Sequence, residues 1–149
     1  MIKLSWTNNY NLIQNTKMGF FEKISNALSS PEINTEDKEI WQKVTSEDDI
    51  ANIFESSKVK SQVVFKHSTR CAVSFFAMRS LNTPDIIDNE GCDLHLIDVI
   101  HQRSISEFFA NKVSIRHESP QIFVIRNGEV IWNDSHNSVN KENLLAHLN

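Results

Sequence analysis

The stretch QVVFKHSTRCAVSFFAMRSL, residues 62–81, changes its pattern of apolar residues halfway along. Its first part, 62–67, is a β-branched and aromatic run of strand length. From Cys71 onward the apolar residues recur at helical spacing, and the run stops before Pro84, as helices commonly do. The sequence therefore predicts a strand that turns into a helix at a lone cysteine, with Ser74 where a second cysteine would complete a C-x-x-C motif.

Strand and helix patterns alternate on both sides of this stretch. Upstream, IWQKVT (40–45) predicts a short strand, and SEDDIANIFESS (46–57) predicts a helix whose start is marked by Ser46 and acidic residues. Downstream, DLHLIDVI (93–100) predicts a second strand with alternating apolar positions.

The remaining segments complete the order of elements. SISEFFANKV predicts a helix opened by a capping box between Ser104 and Glu107. QIFVIRNGEVIWND predicts a hairpin that turns at Asn127-Gly128, and SVNKENLLAHL predicts a final helix. The order β-α-β-α-β-α-β-β-α predicts an α/β fold with a central mixed sheet, parallel at first, flanked by helices on both faces.

Composition and charge exclude several classes of function. The 149 residues are 40% hydrophobic and 23% charged, which is ordinary for a globular domain with its own core. A net charge of −4 argues against nucleic acid as a partner, since phosphate binding needs a basic surface. No run approaches the ~18 apolar residues of a membrane span, and the N-terminus lacks the apolar stretch of a signal peptide. We therefore expect a cytoplasmic protein without integral membrane association, whose thiols are kept reduced.

Residues 1–39 differ from the rest of the chain. We predict an N-terminal extension, partly flexible, with a short amphipathic helix over 18–30, followed by a polar linker and a domain over 40–149. Met18 would make a natural start of the chain. The apolar face of that helix is expected to dock on its own domain, and contact with a membrane or a partner is the alternative.

Three local features resemble the thioredoxin-like fold: the strand-to-helix turn at Cys71, Ser119-Pro120 directly before a strand, and the RNGEV hairpin. More narrowly, FKHSTRCAVS is similar to the active-site segment of YtxJ-like proteins, the monothiol bacilliredoxins. Members of that family usually carry proline directly after the cysteine, where this chain has Ala72. Since alanine is also a good helix former, the departure affects the rigidity of the turn more than its chemistry.

The resemblance implies a specific function. Such proteins remove bacillithiol from protein cysteines: the cysteine attacks the mixed disulfide, takes the thiol adduct and is regenerated by another thiol. The implied partners are S-thiolated client proteins and bacillithiol or a similar low-molecular-weight thiol as co-substrate, with no tightly bound cofactor. The C-x-x-S pattern also resembles monothiol glutaredoxins, some of which carry iron–sulfur clusters.

The chemistry of thiol–disulfide exchange fits the surroundings of Cys71. Exchange needs a thiolate, and the unpaired N–H groups and partial positive charge of a helix N-terminus favour the anion. Nearby cationic and hydroxyl side chains can add charge or hydrogen bonds. The candidates to support the thiolate or bind substrate are Lys66, His67, Ser68, Thr69, Arg70 and Ser74. The alternative is that Cys71 is a buried structural thiol.

Ser74 and Cys92 decide how an adduct on Cys71 is resolved. A hydroxyl cannot form a disulfide, so Ser74 predicts resolution by an outside thiol; alternatively it only packs or caps in an inactive relative. In the predicted fold Cys71 follows the end of one parallel strand, whereas Cys92 precedes the start of the next. Roughly 15–20 Å separate these sheet edges, far beyond the ~7 Å Cα limit for a disulfide. Cys92 is therefore predicted to be a bystander.

Other residues near the site carry expectations from the resemblance. It implies that the Ser119-Pro120 bond is cis and that the backbone of Ser119 pairs with an extended substrate; an ordinary trans proline at a strand start is the alternative. Thioredoxins bury an acid six residues before the nucleophile, where this chain has Phe65. With no second thiol to deprotonate, that loss agrees with a monothiol mechanism.

Metal chemistry finds little support in the sequence. The 6 histidines show no paired metal-ligand spacing, and His67 with Cys71 is two ligands short of a zinc site. Two further hypotheses stay open beside the monothiol redoxin: a thioredoxin-fold binding or scaffold module without redox turnover, and an iron–sulfur carrier similar to monothiol glutaredoxins.

Overall fold

The computed structural model describes residues 40–148, and the predictions for residues 1–39 lie outside the described residues. The strands are β1 (Gln42–Lys43), β2 (Ser61–His67), β3 (Cys92–Asp98), β4 (Gln121–Arg126) and β5 (Glu129–Ser135). The helices are α1 (Glu47–Ser56), α2 (Ala72–Leu81), α3 (Pro84–Ile87), α4 (Arg103–Val113) and α5 (Lys141–Leu148), with a 3₁₀ turn at His136–Ser138. The predicted order of strands and major helices is confirmed.

The five strands form one mixed sheet in the order β1-β3-β2-β4-β5. β3 lies parallel to both β1 and β2, whereas β4 runs antiparallel to β2 and to β5. The mixed sheet, with its parallel strands followed by the β4–β5 hairpin, confirms the prediction. As a result, the end of β2 and the start of β4 lie at the same edge of the sheet.

Two apolar cores cover the two faces of the sheet. On one face, Val63 and Phe65 of β2 belong to a core that also contains residues of α2 and α5. On the other face, Val64 belongs to a core with residues of α1 and α4, such as Phe109. Every residue of β2 is buried, so this strand forms the centre of the domain. Helices on both faces are what the alternating pattern predicted.

Local sequence signals correctly predicted the start of α1 and the turn between β4 and β5. Ser46 caps α1 through a capping box with Asp49, whose carboxylate accepts from the backbone N–H of Ser46 at 2.9 Å. Asn127 and Gly128 join β4 to β5 with φ of 54° and 82°, the left-handed pair that a tight type I′ turn requires.

Three local features differ from the prediction. The first strand is shorter than IWQKVT, since only Gln42–Lys43 pairs in the sheet. α4 begins at Arg103 after the cap residue Gln102, so the Ser104/Glu107 capping box is wrong. Glu107 instead accepts from Nε of Arg103 at 3.0 Å along the helix. The short helix α3 was not predicted, although proline at its first position is a common start.

Candidate active site

Cys71 lies where β2 gives way to α2 and is the cap residue of that helix. Its backbone is extended, its N–H donates to the carbonyl of Ser68 at 3.3 Å, and its carbonyl accepts from Phe75 N–H at 3.1 Å. The residue is partly exposed, and its side chain makes no capping hydrogen bond. Cys71 thus stands at the N-terminal end of α2, and the unpaired N–H groups and partial positive charge of a helix N-terminus favour an anion.

Two serine hydroxyl groups, one in the loop before Cys71 and one in α2, accept hydrogen bonds from the backbone of that loop. The backbone N–H of Ser68 donates to Oγ of Ser74 at 3.2 Å, and the N–H of Arg70 donates to Oγ of Ser68 at 3.3 Å. Ser74 is fully buried, and its hydrogen bond with the N–H of Ser68 shows that its side chain points toward the loop. Thr69 is half-buried and Arg70 is exposed at the rim. Ser68 and Ser74 thus have a structural role, and the predicted donation to the sulfur by these hydroxyls stays a prediction.

Lys66 is fully buried and points to the α4 face of the sheet, opposite α2. Its Nζ donates to the carbonyl of Ser106 at 3.0 Å and lies 3.3 Å from Nδ1 of His117. Burial lowers the pKa of Lys66 to about 8. The ammonium is thus linked to α4 and to the segment before β4, and its predicted help to the thiolate stays a prediction.

His67 points the other way, and only 1% of it is exposed. Its ring lies 5.6 Å from that of Phe65, between centroids, and neither ring nitrogen has a hydrogen-bond partner. Burial lowers the pKa of His67, although the charge of Asp98 and the nearby backbone of Ser74 act in the opposite direction. A neutral imidazole therefore lies under the start of α2, four residues from the nucleophile candidate.

The Ser119-Pro120 peptide bond is cis, as the resemblance predicted. Gln121, the first residue of β4, pairs with Lys66. Because β4 runs antiparallel to β2, the preceding residue Pro120 lies at the level of His67. Pro120 is buried, and Oγ of Ser119 is buried without a hydrogen-bond partner. The structure thus brings Ser119 and Pro120 to the edge of the sheet from which the Cys71 loop departs. Substrate pairing at Ser119 stays a prediction.

Cys92 lies at the other end of the sheet. It pairs with Ser61, the first residue of β2, whereas Cys71 follows the last. Burial raises the pKa of Cys92, and its thiol lies 3.8 Å from the carbonyl oxygen of Asn89. The predicted separation of the two cysteines is confirmed.

The loop after β3 also borders the site. Val99 N–H donates to the carbonyl of His67 at 3.0 Å, which joins this loop to the end of β2. Asp98 accepts from the N–H of Ile100 at 2.9 Å and lies 2.7 Å from Nδ1 of His101. Burial raises the pKa of Asp98, but these hydrogen bonds outweigh it and the net shift is downward.

Residues 40–148 contain neither a metal-binding cluster nor a membrane-spanning helix. No group of three or more histidine, cysteine or acidic side chains in this part of the chain could hold a metal ion. No helix in the same range is long and apolar enough to cross a membrane.

The chain is similar to a known protein family and to solved thioredoxin-fold structures. The model of the family "Monothiol bacilliredoxin BrxC" matches residues 42–144. A thioredoxin-fold protein proposed to be an oxidoreductase shares 30% identity at a TM-score of 0.66, covering 76% of this chain and 97% of its own.

Thioredoxins themselves are more distant. Thioredoxin from Malassezia sympodialis is 21% identical at a TM-score of 0.56, covering 72% of this chain and 87% of its own. Thioredoxin from Fasciola hepatica is 16% identical at 0.57, covering 72% and 95%. These two likenesses show the fold, a thioredoxin-like one. The family match, with the 30% identical thioredoxin-fold protein, shows that the chain belongs to the monothiol bacilliredoxins, a family of thioredoxin-like oxidoreductases.

Proposed function

We propose that this chain acts in the cytosol as a monothiol disulfide reductase that removes bacillithiol, or a similar low-molecular-weight thiol, from protein mixed disulfides through Cys71. The observation that carries the proposal is the position of Cys71 at the N-terminus of α2 with buried Ser74 three residues later. A partly exposed thiol at a helix start can attack, and no second thiol stands one turn away to release it.

The exchange is balanced in two steps. The Cys71 thiolate attacks the bacillithiol sulfur of the client's mixed disulfide. A Cys71–bacillithiol disulfide forms as the original S–S bond breaks, and the client cysteine leaves as a thiolate that takes a proton from water. A second low-molecular-weight thiol, as its thiolate, then attacks the bacillithiol sulfur on Cys71. Cys71 leaves as a thiolate, and the two small thiols form a disulfide, which is the oxidised product of the reaction.

Cys92 is a poor resolving group for this adduct. It lies at the far end of β2, and its raised pKa keeps it as a thiol at neutral pH, whereas exchange needs a thiolate. The adduct on Cys71 is therefore resolved by a thiol from solution. This supports exchange with small thiols rather than reduction of protein disulfides by an internal pair.

The experiment is a transfer assay with a bacillithiolated test protein, followed by the appearance of the client's free thiol. We expect the wild type, with free bacillithiol present, to release the client thiol faster than bacillithiol alone does, and Cys71→Ser to give only the rate of bacillithiol alone. The same client carrying glutathione tests which small thiol is preferred. No acceleration by the wild type, with Cys71 also inert to iodoacetamide at neutral pH, would favour a binding module. Visible absorbance of the purified protein that is lost in Cys71→Ser would instead favour an iron–sulfur carrier.

A further inference from the structure

A fully buried lysine, Lys66, lies beside the candidate active site and has no ionic partner among residues 40–148. Lys66, Ser106 and His117, here called the Lys66 cluster, join β2, α4 and the segment before β4 through contacts of 3.0 and 3.3 Å from Nζ of Lys66. Oγ of Ser106 lies 3.2 Å from the same His117 nitrogen. Within residues 40–148, Lys66 forms no ion pair with a carboxylate.

The surroundings of Lys66 would suit an apolar side chain. Its Nζ lies 5.5 Å and 5.7 Å from the ring centroids of Phe109 and Phe123. These cation–π contacts and one carbonyl recover only part of the cost of removing an ammonium from water. Apolar replacements of buried charged groups are often neutral or stabilising. Stability therefore does not account for a lysine at this position.

The cluster holds one particular segment, 116–118. Because Lys66 donates, Nδ1 of His117 accepts and the ring proton lies on Nε2. Gln121, the strand partner of Lys66, holds the flanking residues: its amide donates to the carbonyl of Arg116 at 3.0 Å and accepts from Glu118 N–H at 3.1 Å. Two neighbouring buried polar side chains thus fix three consecutive residues, directly before Ser119.

We propose that Lys66 is a positioning residue for exchange at Cys71: through His117 it orients the segment 116–120 that receives the disulfide-bearing substrate. This inference rests on the proposed function and on the expectation, implied by the resemblance, that the backbone of Ser119 pairs with the substrate. β2 and β4 are neighbours, so the segment runs beside the residues that lead into the Cys71 loop. The ammonium itself lies on the opposite face from α2 and acts through the segment rather than on the sulfur.

The test compares three measurements on Lys66→Met, whose side chain has similar length and no charge. We expect transfer from the bacillithiolated test protein to slow on the order of ten-fold, since misplacing a substrate-binding segment is costly. Alkylation of Cys71 by iodoacetamide, which needs no such segment, stays within about two-fold of the wild type. The unfolding midpoint stays equal or rises, as expected for an apolar replacement.

Two variants of His117 test whether Lys66 acts through this residue. His117 is exposed, and substitutions at exposed positions usually change stability little. His117→Leu should slow transfer as Lys66→Met does, and the double variant should be no slower than either, since both break one link. His117→Gln, which retains an acceptor for the ammonium, should recover most of the rate. Val64→Ala, on the same face of β2, is the control: it lowers stability without slowing transfer.

Several outcomes would overturn the inference. Unchanged transfer in both Lys66→Met and His117→Leu removes any positioning role. A parallel fall in transfer and alkylation shows that Lys66 acts on the thiolate instead. If Lys66→Met does not fold, a normal rate for His117→Leu still contradicts the proposal. Failure of the proposed function is distinguishable, because then the wild type itself transfers nothing.

Discussion

The two ends of the strand pair β2–β3 treat their polar groups in different ways. At the Cys92 end, Asp93 accepts from Nζ of Lys60 at 2.8 Å and from the amide of Gln62 at 2.9 Å. The same Gln62 contacts Nε2 of His95 at 2.7 Å. Side chains at this end are therefore paired with one another across the two strands.

At the Cys71 end, buried polar atoms stand without partners: both ring nitrogens of His67 and Oγ of Ser119. Among residues 40–148, Oγ1 of Thr83 alone shares this condition outside that end. Each such group costs about 1–3 kcal/mol. Sites that break the packing rules of the rest of a fold are commonly functional. The contrast agrees with the proposed function, in which the Cys71 end carries the chemistry and the Cys92 end contributes to stability.

The two cysteines should therefore differ most in reactivity. In the folded protein, we expect iodoacetamide to modify Cys71 on the order of a thousand-fold faster than Cys92, whose reaction requires an opening that costs about 4 kcal/mol. Peptide mapping of a labelling time course measures both rates at once. In denaturant the two rates should converge, and a large difference that persists there would contradict the role given to burial.

Acid should weaken the paired end through His95. Burial lowers the pKa of His95 to about 4, below the ordinary value near 6.5. Between these values the unfolded chain binds the proton and the folded chain does not, so stability falls as pH is lowered through that window. The loss begins near pH 6.5, is complete below about 4, and amounts to roughly 3 kcal/mol.

Thermal or urea unfolding between pH 7 and 4 measures this loss. His95→Gln keeps a donor for Gln62 and does not titrate, so its pH dependence should be flatter than that of the wild type. Equal slopes for the two proteins would show that other groups, such as the carboxylates, produce the acid sensitivity.

Ser74→Cys should change how the adduct on Cys71 is resolved. The new thiol would attack the mixed disulfide from one helical turn away, so the adduct should accumulate roughly ten-fold less and a disulfide between Cys71 and the introduced thiol should appear in its place. Intact mass under non-reducing conditions distinguishes the two products. Ser74→Ala removes the same hydroxyl without adding a thiol, and an adduct that falls equally in both variants would refute internal resolution.

The same substitution at two histidines should have opposite effects on stability. His67→Phe removes two unpaired buried nitrogens and should raise the free energy of unfolding by about 1 kcal/mol. His95→Phe leaves an oxygen of Gln62 without its partner and should lower it by about 1–3 kcal/mol. Urea unfolding at pH 7 compares them, and a loss in both variants would mean that the two ends do not differ as described.

The sequence predicted the strand-to-helix turn at Cys71 because the period of apolar residues changes there. It predicted the Asn127-Gly128 hairpin for a similarly local reason, and the cis bond at Pro120 through the resemblance alone. It failed at the start of α4, where Oε1 of Gln102 accepts from the N–H of Asp98 at 3.0 Å. That contact depends on tertiary structure, whereas the capping-box pattern is local.

The directions of Lys66 and His67 could not be predicted either. β2 is buried on both faces, so alternation along the strand carries no information about which face meets α2. The hydrogen bond between Ser68 and Ser74 likewise depends on how the loop folds back on the helix. The sequence supplied the candidate residues, and the tertiary structure shows which of them contact one another.

The most direct test of the central claim is the mass of the protein after incubation with a bacillithiolated client and no free thiol. The account predicts one bacillithiol adduct per chain, which peptide mapping locates on Cys71, and an equal amount of reduced client. An adduct on Cys92, or reduced client with no adduct on the protein, would contradict it.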